Sequence, residues 1–302
     1  MGFRKAERRK AKLRLGICGP AGSGKTASAL LIAYGITGDW EKVGVVDTES
    51  GSGELYVNAA IGEAQIGEYN VLPLTAPYTP EKYTQAIKLA EQDGLEVVIL
   101  DSLSHAWAGE GGLLDQQGKL ADRSGNTWTA WRSITPKHNA LVETMLSSKI
   151  HVIATMRSKM EHVQEKDSNG KTIIRKVGMA PIQREGMDYE MTVVFDLSIE
   201  HIASCSKDRT SLFDGQFFKP AAEHGQLLLT WLETGAEPLC TNEQRMHIVT
   251  EMQRTGIAAD DVKVFTVKEF RKDKSIDLTI SEVDKLLAHL STFEDKGAEQ
   301  SA

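Results

Sequence analysis

The stretch KLRLGICGPAGSGKTASALLIAY, residues 12–34, decides how the rest of the chain is read. Its centre, Gly19-Pro20-Ala21-Gly22-Ser23-Gly24-Lys25-Thr26, fits the pattern G-x-x-x-x-G-K-[ST]. Lys12 to Cys18 reads as a short strand entering this loop, and Ala27 to Tyr34 as an apolar helix leaving it. The glycines let backbone N–H groups turn inward, so that loop and helix N-terminus form a nest of partial positive charge for phosphates. Lys25 would reach the terminal phosphates and the Thr26 hydroxyl would take a place on Mg²⁺. At an average glycine usage of roughly 7%, with similar frequencies for the other fixed residues, the pattern arises by chance in about one chain per hundred of this length. A plain glycine-rich turn is therefore the poorer reading.

Working outward, 302 residues are enough for one large α/β domain and a small appendage. The 41% hydrophobic and 25% charged content is that of an ordinary globular protein. No apolar run approaches a membrane span, and the basic start MGFRKAERRK lacks the apolar segment of a signal peptide, so the expectation is a cytoplasmic protein without a membrane partner. Cys18, Cys205 and Cys240 have neither metal-ligand spacing nor disulfide density and read as small buried residues. With a net charge of −7, any nucleic-acid surface must be local.

Met1 to Arg14 carries Arg4, Lys5, Arg8, Arg9, Lys10, Lys12 and Arg14 against Glu7. Such an arm can touch phosphates or simply be solvated; both readings stand. Lys42 to Glu49 (KVGVVDTE) is an apolar strand ending in acids, at the sheet edge where ligands of open α/β folds bind. Glu49 is thus a candidate base for an attacking water, and equally an ordinary loop carboxylate. Tyr83 to Glu91 has helical spacing and leads into Val97 to Asp101 (VVILD), a buried strand that presents Asp101, followed by Ser102, to a Mg²⁺ shell.

His105 to Asn139 is rich in glycine and polar residues. Trp107, Trp128 and Trp131 there can stack on unpaired bases, with Arg123, Arg132 and Lys137 on phosphates, although packing is the better reading for at least two of the three tryptophans. His105 reads as a hydrogen-bonded structural residue. Lys149 to Met156 is another buried-type strand, with Arg157 and Lys159 at its end. Met160 to Gly178 alternates around Asn169-Gly170 as a hairpin whose second limb carries Lys171, Arg175 and Lys176. It can track a nucleic-acid backbone or be a surface hairpin whose acids, Glu161, Glu165 and Asp167, largely cancel that charge.

Strands over 190–199 and 202–206, the turn Lys207-Asp208-Arg209 and a helix over 226–233 complete an α/β body with a mainly parallel sheet. Gly235 to Cys240 reads as a linker, and Thr241-x-x-Gln244 and Thr279-x-x-Glu282 as capping boxes of a small helical domain, with a shorter helix over 262–271 between them. The expected organisation is an arm over 1–14, a core over 15–235, a linker over 236–240, a helical domain over 241–294 and a disordered tail over 295–302.

Residues 9–235 resemble the short RecA-like recombinases of bacteriophages, the ATPase core of RecA and RadA without its flanking domains. The resemblance rests on KAKLRLGICGPAGSGKTASAL, VVDTE, VVILDSLSHAW, IQREGMDYEMTVVFDL and SKDRT taken together. It implies a RecA-like P-loop NTPase core that binds ATP and Mg²⁺. Glu49 would activate water, Asp101 would support Mg²⁺ with Ser102 beside it, and Lys207 and Arg209 would reach the nucleotide of the adjacent protomer as a finger supplied in trans. ATP would then sit between subunits of a ring or filament. The family's γ-phosphate-sensing glutamine is missing; near its place stand Thr155, Met156 and Arg157, of which Arg157 could contact phosphate. DNA segments carry over only by region, 109–131 and 158–178. The terminal module, through TNEQRMHIVTEM and LTISEVDKLLAHL, is similar to small domains appended to phage annealing proteins. The implied activity is a DNA-stimulated ATPase that binds single-stranded DNA and promotes annealing or strand exchange, with a phage or host single-stranded DNA-binding protein as partner. The alternatives are a nucleotide-switched interaction or loading protein of phage replication and, with less support, a small-molecule kinase.

Overall fold

Leu13, Leu15 and Ile17 pack on one side of a central sheet while Cys18 packs on the other, and this alternation repeats strand by strand. The computed structural model describes residues 5–166 and 172–295, with side chains outside 160–179. Strand β1 (Arg14–Gly19) is buried at every position, as a parallel strand with helices on both faces must be. After the loop come α1 (Lys25–Thr37), β2 (Val43–Asp47), a ribbon of β3 (Ala60–Ile61) and β4 (Ala64–Gln65), β5 (Asn70–Pro73), α2 (Pro80–Gln92) and β6 (Val97–Asp101). Helices α3 (Ser104–Ala108), α4 (Leu113–Ser124) and α5 (Thr127–Ser147) lead to β7 (His151–Lys166), followed by β8 (Thr172–Pro181), α6 (Met187–Glu190), β9 (Val193–Leu197), β10 (Ala203–Asp208) and α7 (Ala222–Leu232).

The sheet runs β10-β9-β1-β7-β6-β2-β5, with β10 antiparallel to β9 and the other neighbours parallel. Helices α1 and α7 cover the face carrying Leu15, Val45, Ile99 and Ile153; α2 and α5 cover the face carrying Val46, Val98, Leu100 and Ala154. The fold is thus α/β with a mainly parallel sheet, antiparallel strands joining late. Its register brings the functional strand ends level: Gly19 lies beside Arg157, and Asp47 beside Asp101. Strand β7 lies within the sheet as far as Arg157, and from Ser158 onward it pairs with β8 as a two-stranded ribbon. The expected turn at Asn169-Gly170 lies outside the described residues.

The stretch 105–139, expected as a Gly-rich polar segment, is largely helical. Ala130, Ile134, His138, Leu141 and Met145 form one buried stripe of α5, whose helical spacing is hidden in the sequence by Pro136 within the helix. Arg14 is not part of a phosphate-touching arm. It is buried in β1, where its guanidinium donates to the carbonyls of Leu13 (2.8 Å), Ile150 (2.8 Å), Leu146 (3.1 Å) and Ser148 (2.5 Å). Burial lowers its pKa to about 10, leaving it a cation at neutral pH.

Contacts divide the chain into two compact units, 12–232 and 1–11 with 233–302. In the second, Lys10 N donates to Ala236 O at 2.8 Å and Lys10 pairs with Glu233, so these residues of the basic arm are engaged in pairing. Helices α8 (Asn242–Thr255), α9 (Ala259–Phe270) and α10 (Ile280–Leu290) enclose Ile248, Leu278, Val283, Leu286 and Leu290. Both capping boxes are formed, Thr241 with Gln244 and Thr279 with Glu282. Beyond residue 295 the expected disordered tail lies outside the described residues. Cys18 and Cys240 are buried and Cys205 is half-buried, all three as free thiols. Among the described residues no helix is long and apolar enough to cross a membrane.

Candidate nucleotide site

The loop from Gly19 to Thr26 turns through two left-handed glycines, Gly22 (φ 78°) and Gly24 (φ 83°), a conformation that penalises any Cβ. A Cβ on Gly19 would stand 2.5 Å from Ser23 Oγ, so the Ser23 side chain tucks against the start of the loop only because none is there. Helix α1 starts without a side-chain cap, leaving its first N–H groups to the loop's concavity. Ser23 is fully buried and its Oγ has no hydrogen-bond partner. The Lys25 ammonium folds back to donate to Pro20 O at 2.8 Å. Burial lowers the Lys25 pKa, while Asp101 and then Glu49 pull it back up.

Asp101 sits at the end of β6, 2% exposed, with both carboxylate oxygens held. Thr26 Oγ1 donates to Oδ2 at 2.6 Å and Thr155 Oγ1 to Oδ1 at 2.5 Å. Burial raises the Asp101 pKa and the two hydroxyls, Thr155 first, counter it by bonding the charged form. Thr155 has no role in the sequence reading. The one available signal is a hydroxyl inside an otherwise apolar strand, IHVIATM. Ser102 beside it is buried with its Oγ unpartnered.

Beyond β2, Asp47 shapes the loop by accepting from Glu49 N (2.6 Å) and Gly51 N (2.8 Å). That loop delivers the Glu49 carboxylate to Arg157, whose Nη2 lies 2.8 Å away. His105 takes the structural role expected of it: its Nδ1 lies 2.6 Å from Thr48 Oγ1, which also accepts from Ser102 N at 2.8 Å, and its ring stacks on Tyr78 at 4.9 Å. Burial, then the Arg157 charge, lowers the His105 pKa, so the ring is neutral at pH 7.

A glycine nest, a lysine, and a hydroxyl bonded to a strand-end aspartate share one sheet edge, and this donor set fits a Mg²⁺-nucleotide. Thr26 and Asp101 would hold the ion. Among the described residues no group of three His, Cys, Asp or Glu side chains could hold a metal by itself, so substrate oxygens and water would fill the remaining positions.

The family model AAA_24, an AAA domain, matches residues 11–218. The chain belongs to this AAA-domain family. A KaiC-like protein of the hyperthermophilic archaeon Pyrococcus horikoshii is a similar solved structure, with 14% sequence identity, a TM-score of 0.35, and coverage of 70% of this chain and 94% of that one. No curated protein sequence matches this chain. In this AAA domain the phosphate strand β1 is flanked by β9 and β7, with the aspartate strand β6 one place further.

Lys207 and Arg209 stand away from the phosphate loop of their own AAA domain. Strand β10 runs antiparallel, pairing Lys207 with Val194 and Asp208 with Val193, at the edge where the parallel strands begin. There Lys207 Nζ donates to the carbonyls of Asp188 (2.8 Å) and Tyr189, and Arg209 Nη2 to Tyr189 O at 2.9 Å.

Of the nucleic-acid candidates, Arg123, Arg132 and Lys159 are exposed and Trp128, on the first turn of α5, is 88% exposed. Trp131 instead stacks on Trp107 at 5.8 Å, under the Arg184 guanidinium at 6.0 Å. Two of the three tryptophans are therefore packed. Arg175 and Lys176 belong to β8 by backbone, opposite Val163 and His162; Lys171 lies outside the described residues.

Proposed function

We propose that the protein is an ATPase stimulated by single-stranded DNA, which it holds as an oligomer during annealing or strand exchange in phage recombination. In this reading Lys25 binds the terminal phosphates, Glu49 takes a proton from the attacking water, and Lys207 and Arg209 serve the nucleotide of the next protomer. Mg²⁺, held through Thr26 and Asp101, would neutralise charge on the phosphates. The supporting observation is the continuity of β7. One strand carries Thr155, bonded to Asp101, then Arg157, paired with Glu49, and then leaves the sheet as the ribbon with β8. A polymer lying on that ribbon or on Lys159 would be one strand away from both catalytic carboxylates.

A nucleotide-switched loading protein is the second reading, favoured by apolar side chains exposed on α8 (Met246, 64%), on α9 (Val264, 67%) and at Ile276 (54%) between α9 and α10. The deciding measurement is phosphate release from ATP with and without single-stranded DNA over a range of protein concentrations. A steep, DNA-dependent rise with concentration is expected. ATP binding with turnover indifferent to DNA would favour the loading protein, and phosphate passed to an acceptor other than water would favour a kinase.

A further inference from the structure

The turn Ser198–Ile202 between β9 and β10 carries no phosphate or metal ligand, yet it lies against the phosphate loop. A Cβ on Gly24 would come within 3.0 Å of His201 Nδ1, and a Cβ on Gly19 within 2.9 Å of Leu197 O. The turn is closed by its own hydrogen bonds, Ser198 N to Ile202 O at 2.9 Å and His201 N to Ser198 O at 3.1 Å. His201 sits at its tip in the left-handed region (φ 65°), a conformation disfavoured for a residue with a Cβ. Its ring is exposed, and Ile199 beside it is 64% exposed.

Direction along the sheet edge says what this turn faces. Lys25, Asp101, Glu49 and Arg157 fix the terminal-phosphate end of a nucleotide on the β7, β6 and β2 side of β1. The terminal phosphates and the nucleoside are the two ends of one unbranched chain, so with the terminal phosphates held on one side of the nest the other side is open to the nucleoside. On this sheet that side belongs to β9, and His201 is the aromatic side chain its connecting turn sets against the loop.

We propose that the Ser198–Ile202 turn is the nucleoside seat of this site, with the His201 ring stacking on the base and Ile199 extending the apolar platform. The proposal rests on the reading of residues 19–26 as a nucleotide loop. Stacking of a base on an aromatic ring is sequence-tolerant, which predicts weak discrimination among bases.

The test is calorimetric titration of the full chain with ATP, ADP and inorganic tripolyphosphate, for the wild type, His201→Ala and His201→Phe. His201→Ala should weaken ATP and ADP about tenfold and leave tripolyphosphate unchanged, and His201→Phe should restore the nucleotides. Equal losses for ATP and tripolyphosphate would mean that His201 only shapes the loop, and unchanged ATP affinity would mean that the base lies elsewhere; either overturns the seat. A wild type that binds neither ATP nor tripolyphosphate would overturn the nucleotide-loop reading together with the seat, an outcome distinct from failure of the seat alone.

Discussion

Arg157 donates twice to a single oxygen of Glu49, from Nη2 at 2.8 Å and from Nε at 3.1 Å, across 108 positions of sequence. With side chains 45% and 28% exposed, the pair is screened by solvent and worth at most about 1 kcal/mol, weak enough to open on demand. While it is closed, the guanidinium holds Oε1 and its positive charge weakens the carboxylate as a base.

Arg157→Gln should therefore raise phosphate release in the absence of DNA several-fold and reduce the stimulation that DNA adds. Steady-state turnover with and without single-stranded DNA checks this. A fall in basal turnover with weaker ATP binding would show instead that the guanidinium serves phosphate.

Thr155→Val keeps shape but removes the 2.5 Å hydrogen bond to Asp101 Oδ1 in a site with no exposure. Loss of such an orienting partner should raise the Mg²⁺ concentration for half-maximal turnover about tenfold, with Thr155→Ser close to wild type. A Mg²⁺ titration of phosphate release reads it directly.

Lys25→Ala should abolish hydrolysis. Arg209→Ala should keep nucleotide binding and lose about a thousandfold of turnover, since Arg209 lies at the far edge of its own sheet and would act on a neighbour. Mixing the two inactive variants should recover part of the activity at mixed interfaces, where one subunit brings Lys25 and the other Arg209. No recovery at any ratio would count against a site shared in trans.

His151 is 2% exposed and accepts from Leu13 N at 3.1 Å through Nδ1, and burial, with Lys12 and Arg14 nearby, lowers its pKa to about 3. The unfolded chain takes up this proton near the ordinary value of 6.5, the native protein only near 3, so between those values the unfolded state binds more protons and stability falls as pH falls. The loss from this group should be about 1.4 kcal/mol at pH 5.5 and should grow by about the same amount per further unit. His151→Asn, which can still accept from Leu13 N, should flatten that part of the profile in denaturant unfolding at pH 5 to 7.

The phosphate loop, the strand ending in Asp101 and the two capping boxes were legible because each is a local pattern, a few residues whose spacing alone implies their geometry. Helices α3 to α5 were not, because glycines and Pro136 interrupt a stripe that only packing against α2 and the sheet makes decisive. Arg14 looked like one more solvated cation until four carbonyls, three from the chain before β7 and one from Leu13 just before β1, closed around it. By itself, the sequence determined the phosphate-loop pattern, the apolar strand that ends in Asp101, and that strands and helices alternate. Only the tertiary structure decided that Thr155 shares Asp101 with Thr26, that Arg157 holds Glu49, that Lys207 and Arg209 face away from their own loop, and that His201 lies on Gly24. In a parallel sheet neighbouring strands are joined through long crossovers, so which strand ends meet at the edge is set by the packing of two helical layers, and no local spacing records it.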